Sequence, residues 1–152
     1  MPDSLYCPIR KSWVAALPEE KVRQRLVQEM THRLDYPLGT IALEVSISQL
    51  PHIDCKTPPP KRRADLIVFA KDLHPSHSLY PLLLVECKAV PITPKVIRQV
   101  VGYNQFVKAY YIAVINQTDA YTGWYHQEKN DYFFYEGLPS YSYLLESIPR
   151  SC

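Results

Sequence analysis

Arg62-Arg63-Ala64-Asp65-Leu66-Ile67-Val68-Phe69 opens one apolar run, and Pro81-Leu82-Leu83-Leu84-Val85-Glu86-Cys87-Lys88 closes the next. Each run is short and continuous, the pattern of a strand buried on both faces. Asp65 stands at the start of the first and Glu86-Cys87-Lys88 at the end of the second. Ionised side chains are costly in such places unless they are paired or hold a metal. Two carboxylates and a lysine at the tips of two core strands therefore read as a site. The spacing is Asp-x20-Glu-x-Lys, since 86 − 65 = 21 leaves 20 residues between the acids.

These strands belong to a chain of 152 residues, enough for one domain (1–152) with a real core. Its apolar fraction of 47% and charged fraction of 21% are ordinary for a soluble globular protein. No apolar run approaches the roughly 20 residues needed to span a bilayer. Met1-Pro2-Asp3-Ser4-Leu5-Tyr6-Cys7 has no basic segment followed by an apolar one, so a cytoplasmic location is expected. The formal net charge of +2 argues neither for nor against nucleic acid; what matters is where positive charge sits. Lys61-Arg62-Arg63, the densest basic run, lies directly before Asp65 and reads either as a solvated loop or as a phosphate contact.

Four scattered cysteines with no CxxC pair fit reduced thiols. His52-x2-Cys55 and His74-x2-His77 imitate zinc half-sites. No second CxxC or HxxxH accompanies them, whereas a structural site needs four converging ligands, so no zinc site is expected.

Outward from the two core strands, residues 1–17 read as an arm with Trp13 as its packing anchor. A core follows over 18–116, then C-terminal strands and a tail over 117–152. Pro18 suits a first helical turn, and Glu19-Glu20 suit the positive end of the helix dipole. Val22, Leu26, Met30 and Leu34 give that helix one apolar stripe before Tyr36-Pro37-Leu38-Gly39 ends it. Ile41, Leu43, Val45 and Ile47 alternate with Ala42, Glu44, Ser46 and Ser48, the period of a half-buried strand.

Thr57-Pro58-Pro59-Pro60 makes a stiff connection, and a polar loop from Lys71 to His77 joins strands at about 64–70 and 80–88. Thr93 can cap a second helix with Pro94 in its first turn; Ile97, Val100, Val101, Asn104 and Val107 are its inner face. A strand at 110–115 and aromatic strands near 123–125 and 132–135 complete an α-β-β-β-α-β-β-β order. That order is a mixed sheet with helices packed on it. The Tyr- and Phe-rich segment from Tyr121 to Tyr143 reads as core first, and otherwise as a dimer surface or a base-stacking platform.

Residues i and i+2 of a strand share a face, so Glu86 and Lys88 project together and Cys87 turns away. With the strand of Asp65 alongside, its carboxylate and that of Glu86, joined by the Cys87 backbone carbonyl, suit a hard divalent cation. Mg2+ fits best because it takes few protein ligands and keeps several waters. Such a cation lowers the pKa of a water and stabilises charge on a phosphoryl oxygen. Lys88 can hydrogen-bond the attacking water or neutralise the phosphate. It serves as a base only if its pKa falls well below about 10.4. The competing reading is a buried ion-pair network at the sheet edge.

At these residues the chain resembles the PD-(D/E)XK nucleases and, more closely, the N-terminal domain family of type I restriction enzyme R subunits. The resemblance runs through Arg10-Lys11-Ser12-Trp13-Val14, Pro18-Glu19-Glu20-Lys21-Val22-Arg23-Gln24 and Tyr36-Pro37. It continues through Arg63-Ala64-Asp65-Leu66-Ile67-Val68, Leu83-Leu84-Val85-Glu86-Cys87-Lys88-Ala89, Pro91-Ile92-Thr93 and Gln99-x3-Tyr103-Asn104. It implies a restriction-endonuclease-like core of order α-β-β-β-α-β with extra C-terminal strands.

It also implies that Asp65 and Glu86 bind metal, that Lys88 is the catalytic lysine, and that Gln99 and Tyr103 are an accessory pair on the second helix. Ordinary helix surface is the other reading of that pair. Nucleases of this fold often add an acid from the first helix. Glu20 is the first choice here and Glu19 the second, against a role as dipole partners. Glu44 is a further acid on the first strand. Unlike the restriction subunit, these residues hold no GxxxxGK[ST] phosphate loop, so no ATP-driven translocase is expected in them.

The sequence thus predicts a Mg2+-dependent DNA endonuclease-like domain, with Mn2+ able to substitute. Arg62, Arg63, Lys61 and Lys95 are the expected phosphate contacts, which makes DNA affinity salt-dependent. Expected partners are DNA and restriction-modification or helicase subunits. The alternatives are a catalytically inactive nucleic-acid- or protein-binding module on the same fold, and a defence component whose activity needs a partner.

Overall fold

The computed structural model describes residues 3–53 and 58–148. In chain order its elements are β1 (Ser4–Cys7), β2 (Ser12–Ala15), α1 (Pro18–His32), β3 (Ile41–Ser46), β4 (Arg63–His74) and β5 (His77–Cys87). Then come α2 (Pro94–Val107), β6 (Tyr111–Ile115), β7 (Ala120–His126), β8 (Asp131–Glu136) and α3 (Tyr141–Glu146). Single 3-10 turns occupy Leu38–Thr40 and Ile47–Gln49. Six strands form one sheet in the order β3-β4-β5-β6-β7-β8, while β1 and β2 pair only with each other. Every neighbouring pair in the large sheet is antiparallel except β5 and β6, which are parallel with α2 as their crossover. The fold is mixed α/β. Among the described residues no helix is long and apolar enough to cross a membrane.

Helices cover both faces of the sheet because its central strands are apolar on both. On one face α1 and α3 contribute Val22, Leu26, Met30 and Leu144 to a core with Leu66, Val68, Leu83, Val85 and Cys87. On the other, Val100 and Val107 of α2 pack on Ile67, Leu84, Ile112 and Val114. Thr93 caps α2 by accepting from the Val96 amide at 3.4 Å, and Pro94 opens it. The helix closes at Lys108 in the left-handed region, φ 56°. Asn104 then ties it to β6: its amide group donates to the Ala109 carbonyl at 3.0 Å, and its carbonyl accepts from the Ala109 amide at 2.9 Å.

Five readings of the sequence are corrected. The arm is an ordered hairpin, and its anchor is the fully buried Cys7. Trp13 is 70% exposed and stands across from Tyr6, with ring centroids 5.6 Å apart. An antiparallel register that pairs Tyr6 with Trp13 puts both rings on the hairpin's outer side. α1 ends at His32, so Leu34 lies beyond its stripe, and Tyr36 is buried with its hydroxyl donating to the Pro139 carbonyl. The expected loop from Lys71 to His77 is instead strand, with β4 running to His74 and β5 starting at His77. Hydrophobicity fades beyond Ala70 although pairing continues through Lys71–Leu79 and His74–His77.

The fourth correction concerns β3, which does not keep one apolar face. Glu44 has φ 52°, and the apolar residues change sides there. Ile41 and Leu43 pack toward α1, but Val45 and Ile47 pack toward α2. The fifth is the aromatic segment, which is only part core: Trp124 and Phe134 are partly buried, whereas Tyr125, Tyr135 and Tyr143 are exposed. Gly123 is required within it, since a Cβ there would meet Phe134 Cδ1 at 2.7 Å.

His52, His74 and His77 gather around Tyr80 at the far end of the β4–β5 hairpin; Cys55 and Thr57 lie outside the described residues.

Candidate active site

A row of acids crosses three neighbouring strands. Leu43 pairs with Leu66 and Val45 with Ala64, so Glu44 lies opposite Asp65. Leu66 pairs with Val85, so one step further Asp65 lies opposite Glu86. Glu44, with φ 52°, is skipped in the β3–β4 pairing, which resumes at Val45.

Asp65 is held by backbone: its Oδ2 accepts the Cys87 amide at 2.8 Å. In extended chain the N–H and C=O of one residue point toward the same neighbouring strand, so the Cys87 carbonyl also faces β4. The Cys87 side chain is buried in the α1-side core, and burial raises its thiol pKa. It is a packing group rather than a ligand. Glu86 is only 3% exposed. Its pKa is pushed up to about 7, first by burial and then by the negative charge of Asp65, with Arg62 and Lys88 opposing. Lys88 Nζ lies 3.8 Å from Glu86 Oε1, while its backbone amide donates to the Ile115 carbonyl and fixes it to β6.

Arg62, expected at a phosphate, is turned onto Glu86, with Nη2 2.5 Å from Oε1. Its guanidinium carbon lies 4.4 Å from the ring centroid of Tyr103, so one cation is shared between a carboxylate and an aromatic face. Tyr103 thereby borders the row. Gln99 and Lys95 lie one and two turns before it on the same helix stripe, and both are exposed. Lys61 and Arg63 are exposed on either side of Arg62.

Glu20 is buried on α1, away from the β5 carboxylate. Its Oε1 accepts from Gln24 at 3.0 Å, and its Oε2 is gripped by Arg23. Burial alone would raise its pKa; Gln24, Arg23 and Arg10 outweigh that and hold it below the usual carboxylate range. Arg23 is the hub, reaching Asp65 Oδ1 at 3.8 Å and Glu44 Oε1 at 3.5 Å. Arg10, from the turn of the β1–β2 hairpin, reaches Glu20 at 3.1 Å. Glu19 is exposed in the first turn of α1. The first-helix acid is thus linked to the row through Arg23.

Sequence reasoning did not single out Arg10 and Arg23. Arg23 stands three residues after Glu20, which is a signal for that pair but not for its reach to Asp65. Among the described residues no three His, Cys, Asp or Glu side chains converge as a metal cage. Asp65 and Glu86 form a pair, which is the ligand number Mg2+ commonly takes from a protein.

A mixed six-stranded sheet with acids and a lysine gathered at the end of its central strands defines the class: an α/β domain with a carboxylate–lysine site. Residues 18–139 match the family model described as Type I restriction enzyme R protein N terminus, and the chain belongs to that family. The match runs from α1 to the residue before α3's cap, so the hairpin that delivers Arg10 lies outside it. Comparison with curated proteins and with solved structures gave no match.

Proposed function

We propose that this chain is a Mg2+-dependent endonuclease-like domain that hydrolyses phosphodiester bonds of DNA on a restriction-endonuclease-like PD-(D/E)XK core. The reading rests on one observation above all. In a member of the restriction R-protein family, Asp65 and Glu86 are opposed on adjacent strands with Lys88 3.8 Å from the buried carboxylate.

The donor set fits the ion. Two carboxylates and the Cys87 carbonyl are hard oxygen donors, and a Glu86 pushed up to about 7 by burial and Asp65 is a group that a cation would relieve. When bound, Mg2+ supplies a more acidic water and neutralises charge on the phosphoryl group. The chain's own residues supply the rest. Asp65 is kept in place by the Cys87 amide. Lys88 donates from Nζ to the attacking water or to a phosphate oxygen as charge develops. Tyr103 borders the row from α2 with Gln99 one turn before it, and Lys61, Arg63 and Lys95 are exposed to meet the DNA backbone. DNA and restriction-modification subunits are the proposed partners, and the cytoplasm the proposed location.

In supercoiled-plasmid cleavage with Mg2+ or Mn2+, Lys88→Ala should lower the rate by about 100-fold or more. No cleavage by the wild-type chain, or equal cleavage by the variant, would falsify the catalytic role.

A second reading has its own support: each acid of the row already meets a protein cation, as in a binding module that keeps the fold without the chemistry. Metal binding decides between them.

A further inference from the structure

We propose that Arg62 is a built-in gate on this site: it occupies Glu86 when no metal is present and moves to a DNA phosphate when metal enters, so that metal and DNA bind cooperatively. This rests on the nuclease reading above and adds the regulation of the same site.

Three observations point the same way. First, Arg62 and Lys88 both engage Oε1 of Glu86, at 2.5 and 3.8 Å, so a cation shared with Asp65 must compete with a guanidinium already there. Second, the Arg62 side chain is 38% exposed although its partner is buried, and its Nε is buried with no hydrogen-bond partner. The exposure leaves the side chain an open path outward, and an incoming cation replaces the charge it gives up at Glu86. Its backbone is fixed just before β4, where the Arg62 carbonyl accepts from the Ile47 amide at 3.1 Å, so movement falls to the side chain. Third, the charges balance. With Glu86 ionised, Glu20, Glu44, Asp65 and Glu86 face Arg10, Arg23, Arg62 and Lys88, so 4 − 4 = 0. A dication alone would leave this partly buried cluster strongly positive. A dication arriving with a phosphodiester, which draws Arg62 outward, halves that excess, since 2 − 1 = 1. The Tyr103 ring gives the guanidinium a surface to slide across as it exchanges a carboxylate for a phosphate.

Linkage makes this measurable, because DNA must raise metal affinity by the factor that metal raises DNA affinity. Mn2+ binding is followed by electron paramagnetic resonance at pH 8.5, with and without a phosphorothioate-backbone duplex. Alkaline pH limits proton competition at Glu86. In the wild-type chain the duplex should tighten Mn2+ binding by about fivefold or more. Arg62→Ala should bind Mn2+ more tightly than wild type without DNA and lose most of the coupling. Tyr103→Leu should move both quantities the same way by less.

If Mn2+ binds, Asp65→Asn abolishes that binding, and Arg62→Ala neither tightens it nor reduces the coupling, the gate is wrong and the metal site stands. If no variant binds Mn2+, the metal site falls and the gate with it. Circular dichroism of each variant separates these results from loss of fold.

Discussion

Glu86 has almost no contact with water, yet Asp65, Arg62 and Lys88 all bear on its charge. Burial and Asp65 raise its pKa from 4.5 to about 7, so the folded chain holds this proton more tightly than the unfolded chain. The sign follows by linkage. The stabilisation from this group is complete below about pH 4.5 and is lost as pH rises through about 7. Glu20 runs the other way, since its lowered pKa gives stability that is lost in acid. The two are separated by comparing wild type with Glu86→Gln, which mimics the protonated side chain. In metal-free denaturant titrations the variant should gain on wild type between pH 4 and pH 8, by up to about 3 kcal/mol. A difference that does not change with pH would mean that Glu86 is not held neutral by its surroundings.

Asp65, Glu86 and Lys88 were legible as a group because charges at the ends of apolar runs stand out in one dimension. Arg10, Arg23 and Arg62 as their partners were not. Each comes from a turn, a helix or a loop, and only packing brings it to the row.

At the scale of elements, the helix-capping residues of α2 were readable because a cap is a local device: Thr93 and Pro94 act within one turn. The change of face in β3 was not readable. An alternation of apolar residues fixes a period, but Glu44 in the left-handed region resets which side that period addresses.

The C-terminal end of α2 shows how the helix stripe is kept in register with that row. Asn104 replaces two backbone bonds at the helix exit, and its amide also meets the Tyr132 hydroxyl of β8 at 3.1 Å. Asn104→Ala leaves the Ala109 amide and carbonyl buried without these partners. It should cost roughly 2–3 kcal/mol by urea denaturation and loosen the position of Tyr103 without removing any group of the acid row. A loss under about half a kcal/mol would show that water replaces the side chain there.

Across the whole molecule, β3, β4 and β5 each bring one acid to the row, β6 holds the backbone of Lys88, and α1 supplies Arg23. A ligand at the row therefore joins both cores through the strands they share, and its binding free energy stabilises the fold as a unit. A metal that binds only the folded chain adds about 2.7 kcal/mol at a hundredfold excess over its dissociation constant. For a chain of this size that is a rise of about 5–10 °C in melting temperature. Calorimetric scans with Mn2+ should show this rise in the wild-type chain and lose it in Asp65→Asn, a variant that retains an acceptor for the Cys87 amide. Glu44→Gln should keep most of it, because Glu44 is met by Arg10 and Arg23 rather than by the opposing acid pair. An equal rise in Asp65→Asn would place the metal elsewhere, with the histidines around Tyr80 as the first place to look. No rise in any variant would leave the acid row as an ion-pair network on a binding module.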